Sequence, residues 1–220
     1  MCRLCGRSYD RYAFSDGSVS EAIRWAARRA RRFAATAMGA ARGSPRAVLS
    51  FDAEASSLHG EAFAVGAVLL RAGGGEESFF ARCPVGVVDP WVARNVLPSL
   101  EGEPETHATP RLMRDAFWLW MSERMRGAVV VGDCSWPVEA GLLSACVGDD
   151  PSRAFAGPYP LHEVATLMLA AGLSETDRHA AEVLPPSRLG SHRAHHPTDD
   201  ARVSALYARM ALGRIGGLAA

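Results

Sequence analysis

The chain contains no lysine: all 24 of its basic side chains are arginine, a bias that reads as nucleotide composition rather than physics. No apolar stretch approaches the roughly 18 residues a membrane-crossing helix needs, which argues against a helical span. The five cysteines, Cys2, Cys5, Cys83, Cys134 and Cys146, are odd in number and irregularly spaced. That pattern offers no disulfide framework and favours a reducing, cytoplasmic compartment. Cys2-x-x-Cys5 has no second pair and no neighbouring histidines, so it is half a zinc site and is discounted. Aromatics are scarce at 8%, yet apolar residues reach 48% of the 220, enough for one sizeable core with or without a short appendage.

Charge of one sign is missing overall, because the net charge is zero, but its distribution is uneven. Residues 1–46 hold 10 Arg against 3 acidic residues, whereas the remainder holds 14 Arg against 21. The acidic body lacks the basic footprint needed to track along nucleic acid, so limited contacts with a strand end are expected instead. The stretch SEAIRWAARRARRFAATAMGAA predicts a basic helix capped by Ser20, with Gly-Ser-Pro at 43–45 separating it from the first strand. This divides the chain into an Arg-rich N-terminal extension, 1–45, a folded domain, 46–214, and a C-terminal tail, 215–220. The extension reads as a solvated surface helix, as a nucleic-acid-binding arm, or as the product of a start codon placed too early. Its basic, acid-poor texture is also that of a transit peptide.

The body alternates between strand and helix patterns, as an α/β domain does. Residues 47–53, 62–70 and 77–83 read as strands, with Gly73–Gly75 turning between the last two. Residues 128–132 form a short, wholly apolar strand that should be buried on both faces. Helices are expected over 110–125, 137–147, 163–171 and 197–212. Trp118 and Trp120 read as core packing rather than as a base-stacking platform.

Two acidic groups stand out against this background. Asp52 and Glu54 lie two apart at a strand tip, so both side chains share one face, where their repulsion calls for a cation. Near the other end, SHRAHHPTDDARVSALYARM places His195 five residues before Asp200. Pro197 suits a first helical turn, Asp199 and Asp200 suit its positive end, and Ala201, Val203, Ala205, Leu206, Ala208 and Met210 supply an apolar stripe. Between them, GAVVVGDCSWPVEAGLLSACV offers Asp133 at a strand tip and Glu139 at the start of a helix. Each has an ordinary reading, as a turn residue and as a helix N-terminal charge. His59, His162, His192 and His196 read as solvent-facing.

FDAEASSLHGEAFAVGAVLL and HHPTDDARVSA resemble the first and last motifs of the DEDD-type 3′–5′ exonucleases of the ribonuclease H-like superfamily, in the subgroup with histidine in its last motif. The resemblance covers residues 46–212. In the middle segment the family's Gly-His-Asn is replaced, and Glu139 fits the helix register only with one inserted residue and Glu for Asp. The resemblance implies a ribonuclease H-like mixed five-stranded sheet flanked by helices. It further implies two divalent ions, Mg²⁺ or Mn²⁺, held by Asp52, Glu54, Asp200 and either Asp133 or Glu139, with Asp133 favoured slightly. His195 would serve as general base and Leu58 would wedge against the terminal base, although from the residues alone Leu58 reads equally as a buried loop anchor. The substrate would be a single-stranded DNA or RNA 3′ end, hydrolysed by a two-metal-ion mechanism. No membrane partner is expected, and a homodimer is left open. Two other readings stand beside this one: a catalytically weakened nuclease-like module that holds nucleic-acid ends or a protein partner, and a non-enzymatic nucleic-acid binder acting through the Arg-rich segment.

Overall fold

The computed structural model describes residues 46–173 and 192–218, so the predicted basic helix within 1–45 and the Cys2/Cys5 pair lie outside the described residues. The described chain runs β1 (Val48–Ala55), β2 (Ala62–Leu70), β3 (Glu76–Arg82), α1 (Pro90–Asn95), α2 (Pro110–Arg124), β4 (Val129–Gly132), α3 (Val138–Asp149), β5 (His162–Glu163), α4 (Val164–Ala170) and α5 (Pro197–Leu218). The strands make one mixed sheet in the order β3-β2-β1-β4-β5. β2 is antiparallel to both β1 and β3, while β4 is parallel to β1 and β5 to β4. Only β2 therefore runs against the others.

Strand periodicity distributes the core. Leu49, Phe51 and Ala53 of β1 join Phe63, Val65, Met113, Phe117, Met121 and Leu142 on the face covered by α2 and α3. The Phe51 and Phe117 rings lie 5.3 Å apart across that layer. Val48 points the other way, into a second core with Val68, Val131, Met168, Ala205 and Tyr207 beneath α4 and α5. All nine residues of β2 are buried, as expected of a strand covered on both faces. Trp118 is buried within the first core, and the half-buried Trp120 packs against it.

Gly66 is the hinge of the second layer. It pairs with Asp52 across β1 and β2. A Cβ built there would sit 2.2 Å from the Thr198 backbone nitrogen and 2.3 Å from the Pro197 carbonyl carbon. The first turn of α5 thus rests on bare strand backbone, a use of mid-strand glycine that a larger residue cannot meet.

Several boundaries differ from expectation. β1 continues to Ala55 because the hairpin closes only at Ser56, whose N–H donates to the Glu61 carbonyl at 3.0 Å. The six-residue α1 and the two-residue β5 carry too little periodicity to be read in advance. α5 runs to Leu218, past the expected end at 212 and through most of the segment read as a tail. Its Ile215 packs against the second core, which gives the extra turn something to hold. Among the described residues no helix is long and apolar enough to cross a membrane.

Candidate metal centre

The carboxyl end of β1 forms the floor of the site. Asp52 and Glu54 are the two incompletely buried residues of that strand and share a face, as strand alternation requires. β1 also lies where its neighbours diverge, antiparallel β2 on one side and parallel β4 on the other. In open α/β sheets such a point, beyond the carboxyl ends of the strands, is where ligands collect.

β4 stops at Gly132, and its last pairing with β1 is Val131 with Ser50. Past that point the Ala53 N–H donates to Glu139 Oε1 at 3.3 Å. Glu139 is itself buried in the first turn of α3. The middle acid that reaches β1 is therefore Glu139, whose charge acts on both Asp52 and Glu54. Asp133, the slightly favoured alternative, sits half-buried in the turn after β4. The turn itself is held from β5. Glu163 accepts from the backbone N–H groups of Cys134 and Ser135, at 2.8 and 2.9 Å. Cys134 lies in the left-handed region with φ 53°, and the Trp136–Pro137 bond is cis.

The third wall comes from α5. Asp200 stands in its first turn, where the unsatisfied N–H groups favour negative charge. Its two oxygens are both engaged: Oδ2 accepts from the His195 N–H at 2.8 Å, and Oδ1 lies 2.6 Å from His192 Nε2. His195 takes a left-handed conformation, φ 62°, and its carbonyl accepts from the Ser99 hydroxyl at 2.6 Å. Its ring meets Trp91 edge-on at 5.2 Å, and its Nδ1 lies 4.0 Å from Glu54 Oε1. Donor atoms of Glu54, His195 and Asp200 all fall within 4.8 Å of one another. Small adjustments would bring the two carboxylates around one ion with bonds of about 2.1 Å, with the His195 ring at its edge.

The electrostatics of this cluster could be met by protons or by a cation. Burial raises the Asp52 carboxyl well above the usual range, and the charges of Glu54, Glu139 and Asp200 push it further. Burial, then Asp200 and Glu139, raise Glu54 to about 8. Glu139 rises to about 7, chiefly through burial; hydrogen bonds from backbone N–H groups oppose the rise. Acids crowded this way repel until protons or a cation enter. The donors are mostly carboxylate oxygens with one imidazole in reach, a set that suits Mg²⁺ or Mn²⁺.

A cavity of about 350 Å³ opens beside Glu54, lined among others by Ser57, Leu58, Asp89, Trp91 and Val138. Leu58 is 66% exposed at the tip of the β1–β2 hairpin, free to meet a ligand there. Trp136, 77% exposed, lies edge-on to His59 at 6.4 Å. Two histidines depart from their solvent-facing reading. His192 engages Asp200. His196 is buried, stacked on Phe80 at 5.4 Å, with Nε2 3.3 Å from Glu103 Oε1, because the chain turns inward before α5. His59 is exposed and His162 half-buried. The pairing of His192 with Asp200 has no sequence signal, since no period links residues eight apart across a loop. Gly66 did have one: an isolated glycine within an apolar strand marks close backbone approach. No protein-family model matches the chain, and no curated protein matches it in sequence.

Proposed function

We propose that the protein is a metal-dependent 3′–5′ exonuclease of the ribonuclease H-like kind, hydrolysing phosphodiester bonds at single-stranded nucleic-acid ends. The observation that carries this reading is the meeting of Glu54, His195 and Asp200, whose donor atoms lie within 4.8 Å of one another, with the charges of Asp52 and Glu139 acting on the same cluster. The strand order with one reversed strand is compatible with a ribonuclease H-like sheet. The 3′–5′ polarity rests on the resemblance of the first and last acidic motifs to those of the DEDD-type exonucleases. Buried thiols at Cys83 and Cys146 fit a reducing, cytoplasmic compartment.

Asp52, Glu54, Glu139 and Asp200 would hold divalent cations, Mg²⁺ or Mn²⁺. When bound, such ions lower the pKa of water and neutralise charge on the phosphate. The chain's own groups do the rest. His195 takes the proton of the attacking water, held in place by Asp200, Ser99 and Trp91. A bond forms from water oxygen to phosphorus, the bond to the 3′ oxygen breaks, that oxygen takes a proton from solvent as it leaves, and His195 returns its own proton to solvent. The products are a nucleoside 5′-monophosphate and a strand one residue shorter. The cavity beside Glu54 has room for one nucleobase, with Leu58 and Trp91 as its apolar walls.

The test is a time course on 5′-labelled single-stranded RNA and DNA with Mn²⁺, comparing wild type with Asp52→Asn and Asp200→Asn. A ladder shortening from the 3′ end in wild type, and its loss in both variants, is the expected result. Unchanged trimming in either variant sinks the assignment. A second reading, a weakened module that binds ends without cutting, is favoured by the replaced Gly-His-Asn and the Glu for Asp at 139. It predicts weak Mn²⁺ binding and no ladder.

A further inference from the structure

The carboxylate of Asp200 is held from two directions, and only one of the holders belongs to the acidic motifs. His192 Nε2 lies 2.6 Å from Asp200 Oδ1, with both side chains about four-fifths shielded from solvent. A separation that short needs one shared proton. With Asp200 ionised, as a cation ligand must be, the proton resides on Nε2 and the imidazole donates. The His195 N–H occupies the other oxygen at 2.8 Å. A carboxylate oxygen carries two lone pairs, so each donor leaves one on its oxygen for a cation.

The backbone that presents His192 is itself anchored. The next residue, Arg193, donates from its N–H and its Nε to Asp199 Oδ2, at 3.2 and 3.1 Å, and from Nη1 to Glu103 Oε1 at 2.9 Å. His192 and Arg193 therefore clamp the two adjacent acids of the first turn of α5, one each.

Resting on the metal-dependent nuclease reading, we propose that His192 is a positioning residue: its imidazole aims Asp200 at the cation site without touching cation or substrate. Hydrogen-bonded partners of ligating carboxylates typically change metal affinity by 10- to 100-fold when removed.

Mn²⁺ binding to the full chain at fixed pH, followed by calorimetry and by the free-ion EPR signal, tests this. His192→Leu should weaken Mn²⁺ binding about 10- to 100-fold, while the melting temperature without metal stays near wild type. His192→Gln, whose amide N–H can stand where Nε2 stood, should recover to within about threefold of wild type. His192→Asn, too short to reach, should behave like His192→Leu and serves if the leucine variant fails to fold. Wild-type affinity in His192→Leu or His192→Asn overturns the proposal. Equal loss in His192→Gln and His192→Leu also overturns it, because the imidazole would then be a ligand rather than a donor. If wild type binds no Mn²⁺, the metal-centre reading fails first and takes this proposal with it. Wild-type binding with an unaffected His192→Leu removes this proposal alone.

Discussion

Asp52 lies on the floor of the candidate site, at the carboxyl end of β1. Its carboxylate is buried beside Glu54 and Glu139 in a neighbourhood that disfavours its charge. Asp52→Asn should therefore abolish Mn²⁺-dependent trimming and yet stabilise the metal-free protein by about 1 to 2 kcal/mol, a few degrees in melting temperature. Thermal melts without and with Mn²⁺ check both halves, since the variant should also lose the metal-induced rise. At the middle motif, Glu139→Gln should cost at least about 100-fold in rate, whereas Asp133→Asn should stay within severalfold of wild type. A deficit at Asp133 equal to that at Glu139 would remove the assignment of Glu139 as the third acid.

Protonation of the same residues sets a pH dependence whose sign is fixed. Glu54 and Glu139 hold protons up to about 8 and about 7 in the folded protein, well above their ordinary carboxyl values. The folded state thus binds more protons than the unfolded state between the ordinary glutamate pKa, about 4.5, and 8, so stability without metal falls as pH rises through that window. Above 8 the contribution is spent. A saturating divalent cation should offset the loss, so the metal-induced rise in melting temperature should be larger at about pH 8 than at about pH 5. An equal rise at both pH values contradicts the electrostatic account of the cluster.

At the scale of elements, the site depends on how closely α5 approaches the sheet. Gly66→Ala places a methyl against the backbone of Pro197 and Thr198, which cannot rotate away as a side chain could. The first turn of α5 must lift, at a cost of about 1 to 3 kcal/mol, and carry Asp200 and His195 away from Asp52 and Glu54. Trimming and Mn²⁺ affinity should both fall by more than tenfold while the far-UV spectrum keeps its shape. The turn before α3 has a comparable dependence on β5. Glu163→Ala leaves the Cys134 and Ser135 N–H groups without their carboxylate, a loss of about 1 to 3 kcal/mol, and loosens the approach of Glu139. Much of this layer was legible in advance. The apolar runs at 62–70 and 128–132 became β2 and β4, and of the stripe from Ala201 to Met210 on α5, Ala201, Val203, Ala205 and Ala208 are buried while Leu206 and Met210 are half-buried against the second core. The shortest elements, α1 and β5, were not, because six residues hold less than two helical turns and two residues hold a single strand alternation with no repeat to recognise.

For the whole molecule, charge is segregated along the chain: Arg-rich through residue 46, acidic thereafter. The folded body carries the candidate site, and residues 1–45 carry most of the excess positive charge. Removing 1–45 should leave the trimming rate of short oligonucleotides within about threefold while flattening its dependence on salt, because fewer phosphate counterions are displaced. Complete loss of activity would instead favour the Arg-rich segment as the seat of function.

The sequence alone determined which residues were candidates and which elements would carry them: an acidic pair on a strand, a second acid after a buried strand, and a histidine and aspartate at a helix start. Such features are local, governed by strand alternation, helix periodicity and the preferences of helix ends. Which acid would join the pair was a tertiary matter. Asp133 and Glu139 lie six residues apart, and the end of β4 at Gly132 together with the Glu163-held turn lets Glu139 meet the Ala53 N–H beside the pair. The same holds for His192, drawn onto Asp200 by a loop whose path is set by Arg193, Glu103 and Asp199. Contacts between residues distant in sequence or joined by irregular backbone leave no periodic trace, so they become visible only once the sheet and α5 are packed.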